Sequence, residues 1–293
     1  MLSTLVLDRS TLMAMLLLYL FLAAASVSVG IYGRPGGQLR QQVNSWWLIF
    51  PVFSASLLIY PLGPWLLALF IAALALRELA LHVRGSRWTL LAPALAVFAL
   101  LLASSRSDGA DLTPLLAALL LAQTLHFLLR RHADQLLLLL FVLLCCSLSL
   151  MLRLQHLPNS PQTNLAWIFY LFVLTSLNDV AQFISGTVFG KQKIAARISP
   201  NKTWQGLAGG VLASALLSLA LGHYLHLAAP LPMLALALLL SLGGFCGDLL
   251  FSAAKRYLGI KDFSQLIPGH GGILDRVDSL VLTAPLLYFG LLH

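Results

Sequence analysis

Apolar segments separated by short polar loops run along almost the whole chain. The segments are continuous and rich in Leu and Ala, without the alternation of apolar and polar positions that marks a strand of a membrane barrel. Many approach the roughly 20 apolar residues that a helix needs to cross a bilayer. The second and fourth are short enough to be half-spans, which leaves nine spans as an alternative to ten. We predict helices near residues 12–30, 46–60, 64–82, 90–103, 114–129, 135–152, 166–187, 207–226, 232–252 and 277–292.

The composition agrees with this pattern. Hydrophobic residues make up 59% of the 293 residues, the mean hydropathy is +0.90, and only 10% of the residues are charged. A soluble domain carries about 25% charged residues. The three cysteines lie inside apolar segments, and their spacing matches neither a disulfide framework nor a metal site. We predict an all-α, polytopic integral membrane protein with about 9–10 transmembrane helices.

The end of the first apolar segment, Ala23-Ala24-Ala25-Ser26, is similar to a signal-peptide cleavage site. A signal peptide also needs a basic region before its apolar part, and here Arg9 stands alone beside Asp8. The pattern therefore favours a helix that is retained.

The net charge of +8 has an ordinary explanation in a membrane protein, because cations collect in cytoplasmic loops. No basic helix or RNA-binding motif accompanies the charge, so we expect no nucleic-acid partner. If the loop 188–206 is cytoplasmic, alternation of the ten spans places most Lys and Arg residues inside and both termini outside. The loops 188–206 and 253–276 then lie on the same side and can form one site.

Polar residues within the apolar segments are unevenly distributed along the chain. Before residue 165 the segments are almost purely apolar, whereas the later ones carry Asn178, Asp179, Gln182 and Asp248. An ionised carboxylate in a membrane segment costs about 2.5–3.5 kcal/mol on insertion scales, and it usually faces a partner or water. We therefore interpret residues 1–164 as scaffold helices and residues 165–293 as the working core of one integrated membrane domain.

The most polar part of the chain runs from Ser252 to Asp278, between two apolar segments. Asp275 and Asp278 are three residues apart, which places both carboxylates on one face if the last helix begins here. Carboxylates that share a face suit Mg²⁺, which prefers carboxylate and phosphate oxygens. The alternative is that Asp275 caps the helix and Asp278 adds favourable charge to its first turn. For Asp179 and Asp248 the alternative to a shared metal site is a buried hydrogen bond to a neighbouring helix.

A second polar cluster lies between residues 190 and 206. Ser199-Pro200-Asn201 suits the start of a helix, and a helix N-terminus beside Lys202 would hold a phosphate. The alternative is an ordinary cytoplasmic loop, and the spacing of a P-loop is absent. Further along, His270 lies between glycines in a turn suited to anions. We interpret the pair Arg77-Glu78, within an apolar segment, as interfacial or structural.

Together these residues resemble a known family. The run from Ser252 to Asp278 is similar to the signature of phosphatidate cytidylyltransferases, also called CDP-diacylglycerol synthases. The resemblance is strong from Asp179 to Ser279, whereas over residues 1–165 it rests on hydropathy alone. The matching positions are Ser252, Lys255, Arg256, Lys261, Asp262, Pro268 to Gly272, Asp275, Arg276 and Asp278, with a second block formed by Phe189 to Lys191, Ile198 to Trp204, Gly206, Gly209 and Gly210.

The resemblance implies a reaction in which CTP and phosphatidate give CDP-diacylglycerol and pyrophosphate with the help of Mg²⁺. It also implies a homodimer in a bacterial inner membrane, with the active site facing the cytoplasm; whether a monovalent cation joins Mg²⁺ stays open. The family's metal-binding aspartates correspond to Asp248, Asp275 and Asp278. Its other catalytic positions correspond to Lys255, Arg256, Lys261, Asp262, His270 and Arg276. Its substrate-binding positions correspond to Asp179, Lys191, Ser199, Asn201, Lys202, Thr203 and Ser252.

The chain departs from the family pattern at a few positions. Gln205 stands where Glu is more frequent, and Ser264 replaces a frequent Gly. Val180 and Gln182 stand where a small residue and an aromatic residue are usual after the aspartate at position 179. None of these changes removes a proposed metal ligand. They leave open a diverged enzyme for another phospholipid acid and a scaffold that has lost activity. A transporter or flippase for an anionic substrate is the alternative outside enzymes, because it would also carry intramembrane carboxylates.

Overall fold

The computed structural model describes residues 7–32, 38–106, 113–266 and 271–292. Within these ranges the chain is helical apart from one short hairpin and the loops. The helices are α1 Arg9–Tyr32, α2 Gln38–Leu58, α3 Leu62–Ala80, α4 Trp88–Arg106, α5 Thr113–Arg130, α6 Ala133–Arg153, α7 Pro161–Phe189, α8 Trp204–Tyr224, α9 Pro230–Leu258, α10 Leu274–Val277 and α11 Leu280–Leu292, with a single 3-10 turn at Leu154–His156. The strands are β1 Lys193–Ala195 and β2 Ser199–Thr203.

Each predicted apolar segment contains a helix, and the prediction of an all-α membrane protein is confirmed. Six helices among the described residues are long and apolar enough to cross a membrane. The apolar stretches of α2, α4 and α5 are shorter, and they cover Val43–Leu58, Trp88–Leu100 and Ala117–Arg130. The last predicted segment is divided, because α10 ends at Val277 before α11 begins at Leu280.

Helix α6 lies at the centre of the packing. In its most apolar stretch 83% of the residues are buried, and it contacts α3, α4, α5 and α11. Helices α7, α8, α9 and α11 pack together beside it. The hydroxyl of Ser147 on α6 donates to the carbonyl of Val281 on α11. The scaffold helices are thus in direct contact with the helices that carry the polar residues.

Side-chain caps fix where two of the site helices begin. Ser160 accepts a hydrogen bond from the backbone N–H of Thr163, and Pro161 occupies the first helical position of α7. Thr203 accepts from the N–H of Gly206 and begins α8. At the other end of α9, Gly259 has φ of +74°, the left-handed conformation that ends many helices.

The helix predicted to start at Ser199-Pro200-Asn201 is not there. These residues form β2, which pairs antiparallel with β1 and aligns Lys193 with Thr203. Strand pairing satisfies backbone groups of this stretch, and the N–H of Trp204 donates to the carbonyl of Gln192. The helix begins only at Trp204, so Lys202 lies on the strand just before it.

Glycine allows α9 to approach the start of α11 closely. A Cβ atom at Gly247 would lie 2.5 Å from the carbonyl oxygen of Asp278 and 3.2 Å from Cα of Ser279. Backbone atoms cannot rotate away as a flexible side chain can. The small residue at position 247 therefore sets the distance between the helix that carries Asp248 and the segment that carries Asp278.

We expect Gly247→Ala to lower the free energy of unfolding by about 1–3 kcal/mol, because an inserted methyl group forces the two backbones apart. Gly30→Ala is the matched control, since a Cβ at position 30 would meet no atom of the described residues within 4 Å. Both variants are compared with the parent protein by thermal or denaturant unfolding in detergent. Equal stability of the two variants would contradict the close approach.

Candidate active site

Two adjoining cavities lie where α7, α8 and α9 meet the hairpin and the start of α10. The first, here called the hairpin cavity, has a volume of about 210 Å³. The second, here called the acidic cavity, has a volume of about 170 Å³. Asp179 and Asp248 line both cavities, so the two spaces share a wall. The hairpin cavity is lined by Asp179, Gln182, Phe183, Ser199, Asn201, Lys202, Thr203, Gly206, Leu207 and Asp248. The acidic cavity is lined by Asp179, Asp248, Lys255, Asp262, Asp275, Arg276 and Asp278.

Carboxylates outnumber cations around the acidic cavity. Five aspartates line it, whereas Lys255 and Arg276 are the cationic side chains among its lining residues. Like charges held this close repel one another unless a cation lies among them. The acidic cavity therefore carries an excess of negative charge, which a bound cation would reduce.

Lys202 joins the hairpin to α9. Its Nζ lies 2.5 Å from Oδ2 of Asp248, and the ammonium group also lies 5.0 Å from the ring centroid of Phe245. The hydroxyl of Ser252, one turn further along α9, donates to Oδ1 of Asp248 at 3.3 Å. Asp248 is thus held by two predicted site residues, and Lys202, which lines the hairpin cavity, is paired with a residue that lines both cavities.

Asp275 is tied to protein groups through both of its oxygens. Nζ of Lys255 lies 2.6 Å from Oδ1. Oδ2 accepts hydrogen bonds from the N–H groups of Phe263 at 3.1 Å and Gly272 at 3.0 Å. Asp275 therefore holds the polar segment to the end of α9 as well as lining the cavity.

The remaining carboxylates of the acidic cavity have fewer partners. Oδ1 of Asp278 accepts from the N–H of Ser279 at 2.8 Å. Oδ1 of Asp179 is buried and has no hydrogen-bond partner among the residues that the structure describes. Beside it, Oδ1 of Asn178 accepts hydrogen bonds from the hydroxyl groups of Ser214 and Ser241. The Asp179 oxygen therefore lacks the partner that a buried carboxylate normally has.

The last helix does not run unbroken from Asp275 through Asp278 and onward. Helix α10 has only four residues, and Asp278 lies in the break before α11. Both carboxylates nevertheless line the acidic cavity. Among the residues that the structure describes, no three His, Cys, Asp or Glu side chains are grouped closely enough to hold a metal ion by themselves. The metal set Asp248, Asp275 and Asp278 stays a prediction.

Three predicted basic residues lie outside both cavities. Lys191 is exposed, and its backbone N–H donates to Oε1 of Gln205 at 3.1 Å. Arg256 is exposed and donates through Nε to the carbonyl of Ile198, at the turn of the hairpin. Lys261 is exposed after the end of α9. The predicted site residue His270 lies outside the described residues.

One residue of the site region was underestimated from the sequence. Glu78 on α3 is 2% exposed and accepts hydrogen bonds from Ser264, Ile273 and Leu274. Its position in an apolar segment was the available signal, because a carboxyl group there needs partners. What the sequence did not contain was the identity of those partners, which lie almost 200 residues further along the chain.

The sequence model that describes the cytidylyltransferase family matches residues 40–292 of this chain. An uncharacterized protein of Escherichia coli (strain K12), YnbB, is 44% identical over 122 residues, which cover 42% of this chain and 41% of that protein. A phosphatidate cytidylyltransferase of Haemophilus influenzae is 37% identical over 148 residues, covering 46% of this chain and 49% of the relative. That of Bacillus subtilis is 42% identical over 136 residues, covering 45% and 49%.

The matched part of this chain spans about half the length of the curated relatives. The family match is longer, and it includes both cavities, the hairpin and the buried carboxyl of Glu78 on α3. Since this match extends over most of the 293 residues, the chain belongs to the cytidylyltransferase family.

Proposed function

We propose that this protein is a CTP:phosphatidate cytidylyltransferase, which forms CDP-diacylglycerol and pyrophosphate. The observation that carries the proposal is the meeting of Asp179, Asp248, Asp275 and Asp278 at one cavity, with Lys202 and Lys255 paired to two of them. The names of two bacterial relatives, both phosphatidate cytidylyltransferases, support the same reaction. The substrates are therefore a nucleoside triphosphate and a phospholipid acid.

The reaction needs little acid–base chemistry from the protein. The second pKa of a phosphate monoester is about 6, so that the lipid phosphate is largely a dianion near neutral pH. One of its oxygens attacks the α-phosphorus of CTP and forms the new P–O–P linkage. The bond from the α-phosphorus to the bridging oxygen of the β-phosphate breaks, and its electron pair leaves with pyrophosphate. The obstacle is the repulsion between two polyanions, which positioned cations reduce.

The two adjoining cavities allow the two phosphate groups to meet. Phe183 and Leu207 give the hairpin cavity an apolar side, and Phe183 is exposed on α7, which suits a lipid whose acyl chains stay in the membrane. Lys202, which lines the hairpin cavity and is paired with Asp248, would bind the lipid phosphate. Lys255 and Arg276 would bind the phosphates of CTP in the acidic cavity, which orients the α-phosphorus toward the lipid.

The donor set of the acidic cavity fits Mg²⁺. Carboxylate oxygens are the ligands that this ion prefers, the aspartates exceed the cations of the cavity in number, and Oδ1 of Asp179 has no other partner. No three carboxylates of the described residues lie close enough together to hold the ion as they stand, so the side chains of Asp248, Asp278 and Asp179 would have to turn toward it. Asp275 would join them if Lys255 turns toward a substrate phosphate. When bound, Mg²⁺ would neutralise charge on the triphosphate oxygens and on the leaving pyrophosphate.

The protein is an integral membrane protein. We place it in the inner membrane of a bacterium, with both cavities open to the cytoplasm. Bacterial relatives and the concentration of Lys and Arg in the loops 188–206 and 253–276 support this placement. CTP is a cytoplasmic nucleotide, so the proposed reaction requires this orientation. A homodimer is the proposed assembly.

The purified protein in detergent with phosphatidate, CTP and Mg²⁺ is expected to form CDP-diacylglycerol and one equivalent of pyrophosphate. Omission of CTP or chelation of divalent ions should abolish both products, because CTP supplies the transferred group and Mg²⁺ would neutralise the charge of its triphosphate. Product is measured by mass spectrometry of the lipid fraction and by a pyrophosphate assay, with and without added K⁺. If phosphatidate gives no product and another phospholipid acid does, that second lipid is the substrate and the proposed lipid is wrong. Absence of any nucleotide-linked lipid would overturn the proposed function.

A further inference from the structure

Two side chains, one on α3 and one shortly after the end of α3, bind the polar segment that leads to Asp275. Glu78 lies near the end of α3, and His82 follows one turn later. The segment reaches this position as two described flanks, 263–266 and 271–274. Glu78 contacts both flanks, whereas His82 contacts the first of them.

The contacts of Glu78 are numerous for one carboxyl group. Oε1 accepts from the hydroxyl of Ser264 at 2.6 Å and from the N–H of Ile273 at 2.8 Å. Oε2 accepts from the N–H of Leu274 at 3.1 Å. Nε2 of His82 lies 2.7 Å from the carbonyl oxygen of Phe263, to which its N–H donates. Residues from the scaffold helices thus hold both flanks of the segment in place.

A glycine makes room for this carboxyl group. A Cβ atom at Gly272 would lie 2.6 Å from Oε1 of Glu78 and 2.7 Å from its Cδ. The carboxyl group therefore lies directly against the backbone of residue 272. A side chain at position 272 would force the carboxyl group of Glu78 to shift, and that group binds the N–H of Leu274, the residue that precedes Asp275.

We propose that Glu78 is a positioning residue of the active site, which fixes the flanks 263–266 and 271–274 and thereby places Asp275, Arg276 and Asp278 on the acidic cavity. Glu78 lines neither cavity and touches no substrate in this role. It acts through the backbone of Ile273 and Leu274, one residue away from Asp275. Scaffold helix α3 is therefore part of the catalytic apparatus, although it carries none of the family's signature residues.

Because this role rests on the proposed function, the experiment uses two independent readouts. The first is steady-state kinetics of cytidylyl transfer, and the second is hydrogen–deuterium exchange of the full-length protein in detergent. Glu78→Ala is expected to lower kcat by about 100-fold, the loss that a shift of about 1 Å in a positioned group produces, with KM for CTP changed far less. Exchange in peptides that cover 271–277 should accelerate, because Ile273 and Leu274 lose their acceptors, while peptides of α6 and α8 stay protected.

Three further variants make the result decisive. Ser264→Ala removes one of the three hydrogen bonds and keeps the buried carboxyl group, so it should lower kcat and accelerate exchange by smaller amounts than Glu78→Ala. This variant still tests the proposal if Glu78→Ala does not fold. Glu78→Gln retains an acceptor oxygen for Ser264 and Ile273, and it should recover part of kcat. Arg77→Ala is the matched control, since Arg77 is the exposed neighbour on the same helix. It should change neither readout.

Unchanged exchange over residues 271–277 in both Glu78→Ala and Ser264→Ala would overturn the proposal, whatever the enzyme activity. The same is true of kcat values for both variants that equal the value of Arg77→Ala. If the parent protein forms no nucleotide-linked lipid, the proposed function fails while the exchange experiment still decides whether Glu78 holds the segment.

Discussion

Asp278→Asn is expected to lower kcat for CDP-diacylglycerol formation by about 10³-fold or more, the effect of removing one preorganised electrostatic group from an active site. Asp278 is buried, lies in the break between α10 and α11, and lines the acidic cavity. The amide keeps the shape of the side chain and removes its negative charge. The loss should therefore report the cation site rather than a rearranged backbone.

The variant should remain folded, because replacing one of five neighbouring carboxylates reduces their mutual repulsion. Its thermal unfolding midpoint, measured without added Mg²⁺, is expected to equal or exceed that of the parent protein. Asp134→Asn is the matched control: Asp134 accepts from the N–H of Arg84, lines neither cavity, and should leave kcat unchanged. Activity of Asp278→Asn near the parent value would remove this residue from the proposed metal site.

Lys255→Met is expected to lower both activity and stability. The side chains of Lys255 and Asp275 are only 12% and 4% exposed, and their charged atoms lie 2.6 Å apart. Removing one partner of a buried ion pair leaves an uncompensated charge, which destabilises proteins by roughly 3–5 kcal/mol. We expect a loss of about this size in the free energy of unfolding, together with a decrease of at least about 100-fold in kcat, because a phosphate-binding cation is also lost.

A double variant separates the two effects. Lys255→Met combined with Asp275→Asn removes the unpaired charge, so that most of the stability should return while activity stays low. Arg256→Met is the control for stability, since Arg256 is the exposed cation of the same helical turn and its loss should cost about 1 kcal/mol or less. If the single and double variants unfold at the same denaturant concentration, an unpaired charge of Asp275 is not the cause of the lost stability.

The helices were predictable because each depends on local composition. An apolar segment in a bilayer satisfies its backbone hydrogen bonds within itself, and the helix is the structure that does so. The positions of α1 to α9 therefore followed from runs of Leu and Ala. The hairpin did not, since Ser199, Pro200 and Asn201 suit a helix start as well as a strand. The pairing of β2 with β1 decided between the two.

The chemistry of the site was also visible in the residues themselves. Carboxylates within membrane segments and beside glycines pointed to Asp179, Asp248, Asp275 and Asp278, and all four line the acidic cavity. Their resemblance to a family signature is confirmed by the family match over residues 40–292. Their roles in catalysis and metal binding stay predictions that the variants above are designed to test.

Sequence alone thus determined the membrane helices, the family and the residue types of the site, because each of these depends on composition or on short, local patterns. Tertiary structure decided which groups meet: Lys202 with Asp248, Lys255 with Asp275, and Glu78 with the backbone of residues 273 and 274. Contacts of this kind join distant parts of the chain, and they form only when the helices pack. The pair Arg77-Glu78 illustrates the difference. In the sequence it is two charged residues in an apolar segment, and only the packing of α3 against the segment that carries Asp275 shows what Glu78 binds.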